Sequence, residues 1–242
     1  MGIEDRRIVI TGTARDFGRT LAIRLAALGA QLYISARDPA GARRTRDEIL
    51  DRHPDAAVDA FACDLTSPES IRDFAAGVRE RTDRVDILIN NGAAWLEGAD
   101  LDSADDQQIV DTITSGGAGT VLMVKHFLPL LSASSRPAIV TMVSAVALPR
   151  FEHAGAHGAF DAATGALAAF AGNLSTRLRS AGVRVISLYP PDFTNIDPLA
   201  DPDRLLRTDK EELTSESLVE CVVFAVNQPR DCFIRSFEFE AR

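Results

Sequence analysis

Short aliphatic and β-branched runs recur along this chain, each followed by a longer stretch in which apolar residues return every three or four positions. The short runs predict strands over 7–11, 31–35, 58–62, 87–89, 138–143, 184–188 and 231–237. The longer stretches predict helices over 18–28, 40–52, 68–81, 104–131, 156–180 and 215–226. Leu28-Gly29-Ala30 and Ser180-Ala181-Gly182-Val183 read as helix stops that feed the next strand. Regular alternation of strand and helix is the pattern of a parallel sheet covered on both faces. The predicted class is therefore α/β, a doubly wound sheet of about seven strands.

No repeat or linker divides the 242 residues, and 1–242 reads as one domain. The Pro- and Asp-rich piece 190–209 is the one long irregular segment, and beyond a strand end it is placed to cover a ligand crevice. A net charge of −9 argues against nucleic-acid or anionic-membrane binding, since both need a basic face. No apolar run reaches the length of a membrane span, and the residues from Met1 to Arg7 lack a signal-peptide apolar region. Cys63, Cys221 and Cys232 are scattered without metal spacing, so reduced thiols and a cytoplasmic location are expected.

Thr11-Gly12-Thr13-Ala14-Arg15-Asp16-Phe17-Gly18 links the first strand to the first helix. A helix N-terminus in that setting offers N–H groups and positive potential to a pyrophosphate. The segment resembles the T-G-x-x-x-G-x-G loop of the short-chain dehydrogenase/reductase family, with Asp16 in place of the middle glycine. A carboxylate there crowds and repels phosphates, or caps the helix through the N–H of Gly18 or Arg19, or is neutralised by Arg15 or Arg19. Further along, Asp64-Leu65 resembles the family's adenine-binding acid and its neighbour, and Asn90-Asn91-Gly92-Ala93 its N-N-A-G. Pro190-Pro191, with Thr194 and Asn195 after them, resembles the segment following the sixth strand. Arg15 and Arg37 stand where members preferring NADP(H) place cations against the 2′-phosphate. The resemblance covers essentially the whole chain and implies a Rossmann-like fold that binds NADP(H) through these residues.

The family's chemistry rests on Asn, Ser, Tyr and Lys, the tyrosine exchanging a proton with the substrate oxygen. Ser144 matches the serine, and Gly116 falls at the asparagine position. Thirteen residues after Ser144, Ala156-His157-Gly158-Ala159-Phe160-Asp161-Ala162-Ala163 resembles the tyrosine segment, with His157 for Tyr and Asp161 for Lys. Tyr33, Tyr189, Lys125 and Lys210 are the chain's tyrosines and lysines, and no Tyr-x-x-x-Lys occurs. His157 and Asp161, four apart on a predicted helix, would share a face and pair, giving with Ser144 a candidate acid–base set. The alternative is that both have drifted in a site no longer under catalytic demand. His153 makes a second histidine pair without a third metal ligand.

Two functional classes follow. The chain is similar to tyrosine-less accessory subunits of heteromeric ketoreductases in antibiotic pathways. That resemblance implies a partner, an active family member or a second copy, packed on helices 104–131 and 156–180. The other class is a divergent enzyme using Ser144, His157 and Asp161 for NADPH-dependent carbonyl reduction or for a non-redox lyase, isomerase or cyclase reaction.

Overall fold

A computed structural model describes residues 2–98, 100–102, 104–149, 151, 155–200 and 212–240. Its seven parallel strands are β1 (Arg7–Thr11), β2 (Gln31–Ala36), β3 (Val58–Ala62), β4 (Ile87–Asn90), β5 (Ala138–Met142), β6 (Arg184–Tyr189) and β7 (Ser236–Glu238). They lie in the order β3-β2-β1-β4-β5-β6-β7. Along β1, Ile8 and Ile10 face one core, where Leu21 and Leu25 of α1 (Asp16–Ala27) and Val222 of α7 (Ser215–Asn227) pack. Val9 points the other way, with Leu88 and Ile139, onto Phe74 of α3 (Pro68–Arg79) and Phe127 of α5 (Gly119–Ser132). The period of two along a strand thus fills both faces, and the expected doubly wound sheet is found. No described helix is long and apolar enough to cross a membrane.

Three boundaries differ from expectation, each for a local reason. The helix predicted over 104–131 is broken. It starts as α4 (Asp106–Ile113) under a capping box between Asp105 and Gln108, widens into a π-turn at Thr114–Ala118, and resumes as α5. The wide turn falls on the Gly116-Gly117 pair, where the backbone freedom of two adjacent glycines weakens the i−4 ladder. Helix α6 (Gly158–Leu178) begins after His157, whose extended backbone makes it the N-cap and not a helical residue. The last strand shrinks from 231–237 to the three residues of β7, because Cys232 N–H bonds back to Pro229 O in a turn. Helix α2 (Pro39–Arg52) follows β2 close to the expected limits, with Asp38 as its N-cap.

Candidate functional site

The strand order reverses between β1 and β4, and ligands of open α/β sheets sit in the crevice beyond the carboxyl ends of such strands. Here the two ends are stapled together. Thr11 Oγ1 accepts from the N–H groups of Asn91 and Gly92, at 3.1 and 3.0 Å. Asn91 Nδ2 donates to Thr11 O and Gly12 O, at 3.2 and 3.3 Å. A Cβ on Gly12 would lie 2.6 Å from Gly92 Cα, and one on Gly18 would lie 2.1 Å from Gly12 O, so both glycines are required by close approach. Asn91, the second residue of the Asn90-Asn91-Gly92-Ala93 motif, is thus the staple. Its neighbour Asn90 is 3% exposed with neither amide atom hydrogen-bonded.

Asp16 occupies the loop with φ +49°, the left-handed region that the family's glycine enters freely. It does not cap α1: the N-cap is Arg15, and no side chain bonds the first-turn N–H groups. Its carboxylate meets Arg15 Nε at 3.4 Å in an exposed pair. Arg19 plays no part, being held by Glu48 at 2.8 Å and Asp197 at 3.1 Å. Of the three roles weighed for Asp16, capping is not found and Arg19 is engaged elsewhere, and the exposed contact with Arg15 leaves the carboxylate charge at the loop. Phe17 is buried and meets Phe193 edge-on, with ring centroids 5.6 Å apart.

The adenosine end has the parts a dinucleotide needs. Asp64 closes a tight turn by accepting from Thr66 N and Oγ1, at 2.9 and 2.7 Å, and Leu65 packs under Gly92. Arg37 stands exposed just past β2. Asp38 caps α2 by accepting from Ala40 N at 3.0 Å, so it is occupied and not turned to a ribose. The glycine cradle, the Asp64 turn and two exposed arginines fit a phosphorylated dinucleotide, with Asp16 the discordant residue.

Beside this crevice lies a mainly apolar cavity of about 430 Å³. Ser144 lines it at φ +106°, a strained conformation for a residue with a side chain, and its Oγ accepts from Val146 N at 3.3 Å. Gly116 lines it from the π-turn, and a Cβ there would come within 3.1 Å of Ala163. Pro190 and Pro191 close one side, and Pro190 O receives Ala145 N–H at 2.8 Å. Of the irregular segment, Pro190, Pro191, Asp192, Phe193 and Asn195 line the cavity, while 201–209 lie outside the described residues. Thr194 itself turns away, its hydroxyl donating to Glu212 at 3.0 Å, and Asn195 lines the wall in its place. Trp95 lines the cavity as well, packed edge-on against Phe160 at 4.7 Å.

The expected pairing of His157 with Asp161 is not found. His157 is 1% exposed and not part of the cavity wall. Its Nδ1 accepts from Ala159 N at 3.1 Å, which assigns the ring proton to Nε2, and Nε2 donates to Leu101 O at 3.3 Å. Asp161 lies on the exposed side of α6. His153 falls outside the described residues.

Instead, the inward face of α6 presents Phe160, Ala163, Thr164 and Leu167. Phe160 and Thr164 share the cavity with Ser144 at the spacing of a Tyr-x-x-x-Lys pair, three residues later than counting from Ser144 suggests. Phe160 has no hydroxyl, and the Thr164 hydroxyl donates back to Phe160 O and Asp161 O, at 3.0 and 3.1 Å. A usable signal was present: Phe160-Asp161-Ala162-Ala163-Thr164 keeps an apolar ring and two small residues at family spacing.

A parallel sheet with a glycine cradle at its switch point defines a dinucleotide-binding α/β protein. The short chain dehydrogenase family model matches residues 6–197, and the chain belongs to that family. Among curated relatives, a protein named ketoacyl reductase 1 of the granaticin polyketide synthase, from Streptomyces violaceoruber, is 34% identical over 138 residues, covering 56% of this chain and 50% of that protein. Human retinol dehydrogenase 13 is 29% identical over 208 residues, covering 78% of this chain and 59% of the relative. The match thus spans about half of these relatives' own length. A metagenomic short-chain oxidoreductase solved with NADP superposes with a TM-score of 0.80 at 24% identity, covering 98% of this chain and 96% of the other. The 3-ketoacyl-(acyl-carrier-protein) reductase of Brucella melitensis, solved with NADH, gives 0.81 at 22% identity, covering 98% and 97%.

Proposed function

We propose that this chain is a nicotinamide-dinucleotide-binding subunit, preferring NADP(H), that does not itself transfer hydride and that works beside an active family member in a ketoreductase of secondary metabolism. One observation carries the reading: the α6 wall facing Ser144 bears Phe160 and Thr164, so the tyrosine–lysine pair by which the family exchanges a proton with the substrate oxygen is missing there. A bound nicotinamide supplies or accepts hydride, which this chain's own residues leave without the family's tyrosine–lysine proton path. What they retain is binding: the Thr11–Asn91 staple, the glycine cradle, the Asp64 turn, and Arg15 with Arg37 for a 2′-phosphate. Similarity to a polyketide-synthase ketoacyl reductase supports the ketoreductase setting. Val110, Ile113 and Val121 are exposed apolar residues on α4 and α5, which supports a partner on that face.

A second reading, an enzyme that reduces carbonyls or runs a non-redox reaction, draws on the formed cavity and the strained Ser144. The test is an NADPH titration by nicotinamide fluorescence, with NADH for comparison, followed by ketone reduction assays. NADPH-selective binding without turnover is expected, and Phe160→Tyr with Thr164→Lys should then gain NADPH-dependent reduction. Turnover by the unaltered chain alone would overturn the subunit reading, as would no binding at millimolar cofactor.

A further inference from the structure

The cavity beside the crevice is walled by two aromatic pairs drawn from different parts of the fold. Phe17, at the start of α1, meets Phe193, in the segment after β6, edge-on with ring centroids 5.6 Å apart. Trp95, after β4, meets Phe160, in the first turn of α6, edge-on at 4.7 Å. All four rings line the cavity, and Met142, Val143, Leu167 and Pro190 add aliphatic surface. Edge-on pairs hold each other in place, and their faces and edges recognise a further ring through the same quadrupole attraction. Trp95 is 48% exposed and Phe160 is half-buried, so this pair keeps ring surface open to a ligand. The volume, about 430 Å³, lies in the range that encloses a small organic molecule.

Charge and hydrogen bonding narrow what fits. Among the described residues, the wall carries no lysine, arginine or histidine, and the exposed Asp192 is its single charged side chain. Two of its polar groups are committed to the backbone. The Thr164 hydroxyl donates to Phe160 O and Asp161 O, and Asn91 Nδ2 donates to Thr11 O and Gly12 O. Ser144 differs, because its Oγ accepts from Val146 N at 3.3 Å and keeps the hydroxyl proton to donate. A carboxylate or phosphate entering this wall would lose its hydration and meet no cation, a cost that apolar contact does not return. A neutral planar ligand with an oxygen acceptor escapes that cost.

We infer that this cavity binds an uncharged aromatic ketone, held by the Trp95–Phe160 and Phe17–Phe193 pairs with its oxygen on Ser144, and that it does so without the dinucleotide. The inference rests on the reading that the site binds and does not reduce, and it adds the class of molecule bound. Phe160 is central to it. Where the family's proton donor would be, this chain sets a ring that is already part of an aromatic wall.

The experiment is a calorimetric titration of the nucleotide-free protein with 1-tetralone, a bicyclic aromatic ketone, against its saturated analogue 1-decalone and the anion 1-naphthoate. Emission of Trp95, the chain's only tryptophan, is read alongside. Saturable binding of 1-tetralone with a change in Trp95 emission is expected. The decalone should bind at least about threefold more weakly for want of a ring, and the naphthoate at least about tenfold more weakly for want of a cation. Phe160→Ala should weaken 1-tetralone by at least about tenfold. Should that variant not fold, Trp95→Leu, at a half-exposed position, is expected to weaken it by at least about threefold. The inference falls if 1-tetralone does not bind at millimolar concentration, or if the decalone or the naphthoate binds as tightly. It falls too if the folded variants bind 1-tetralone unchanged, which would place the ketone on another apolar surface. NADPH binding without 1-tetralone binding would remove the ligand class and leave the subunit reading. Reduction of bound 1-tetralone by NADPH would do the reverse.

Discussion

His157 stands thirteen residues after Ser144, where counting expects a proton donor, yet its ring is spent on the backbone. It closes a clasp between two loops at the cavity mouth: His157 N bonds Leu96 O, Gly98 N bonds Gly155 O, and Glu97 bridges Ala156. His157→Ala leaves a buried N–H and a carbonyl unpaired and is expected to destabilise by about 2 kcal/mol. Asp161→Ala, on the exposed face, should stay within about 0.5 kcal/mol. Denaturant midpoints check both, and equal losses would contradict the cap assignment. At Asp16, substitution by glycine removes the αL strain and the carboxylate facing the pyrophosphate site. NADPH should bind Asp16→Gly at least about tenfold more tightly, since removing an adjacent like charge is worth a kcal/mol or more. Unchanged affinity would mean that Arg15 already neutralises the site.

The π-turn between α4 and α5 shows how an element is fitted to its neighbours. A Cβ on Gly119 would sit 2.5 Å from Leu65 O, a backbone atom that cannot step aside, whereas Gly117 has nothing within 4 Å. Gly119→Ala should therefore cost about 2 kcal/mol as overpacking. Gly117→Ala should stabilise by about 0.5 kcal/mol through helix propensity. Thermal melts of the two variants give opposite signs if the turn is built as described. Gly116, Gly117 and Gly119 stand close together in the sequence, and each lowers helix propensity. Which of them a neighbouring backbone requires was not, because that depends on where the loop after β3 passes.

For the molecule as a whole, the alkaline limb of stability is set in part by Cys63. Burial pushes its thiol up to about 12, with Asp64 adding to the effect. An unfolded thiol titrates near 8.5, so the unfolded chain loses its proton first, and stability present below about pH 8.5 is lost as the pH rises toward 12. Between pH 8 and 10.5 the protein should lose about 2 kcal/mol more than Cys63→Ala, read from urea denaturation at each pH. Parallel losses would place the titrating group elsewhere.

The sequence by itself determined the alternation of strand and helix, and with it the sheet, because burial on two faces writes a local and repetitive signal. It also determined that no Tyr-x-x-x-Lys exists, since that needs only a search. The tertiary structure decided what stands in its place. The path from Ser144 to α6 is three residues longer than the family count, and only its course in space sets which helical face meets the cavity. That course turned His157 into a cap and Asp161 outward, and brought Phe160 and Thr164 to the wall.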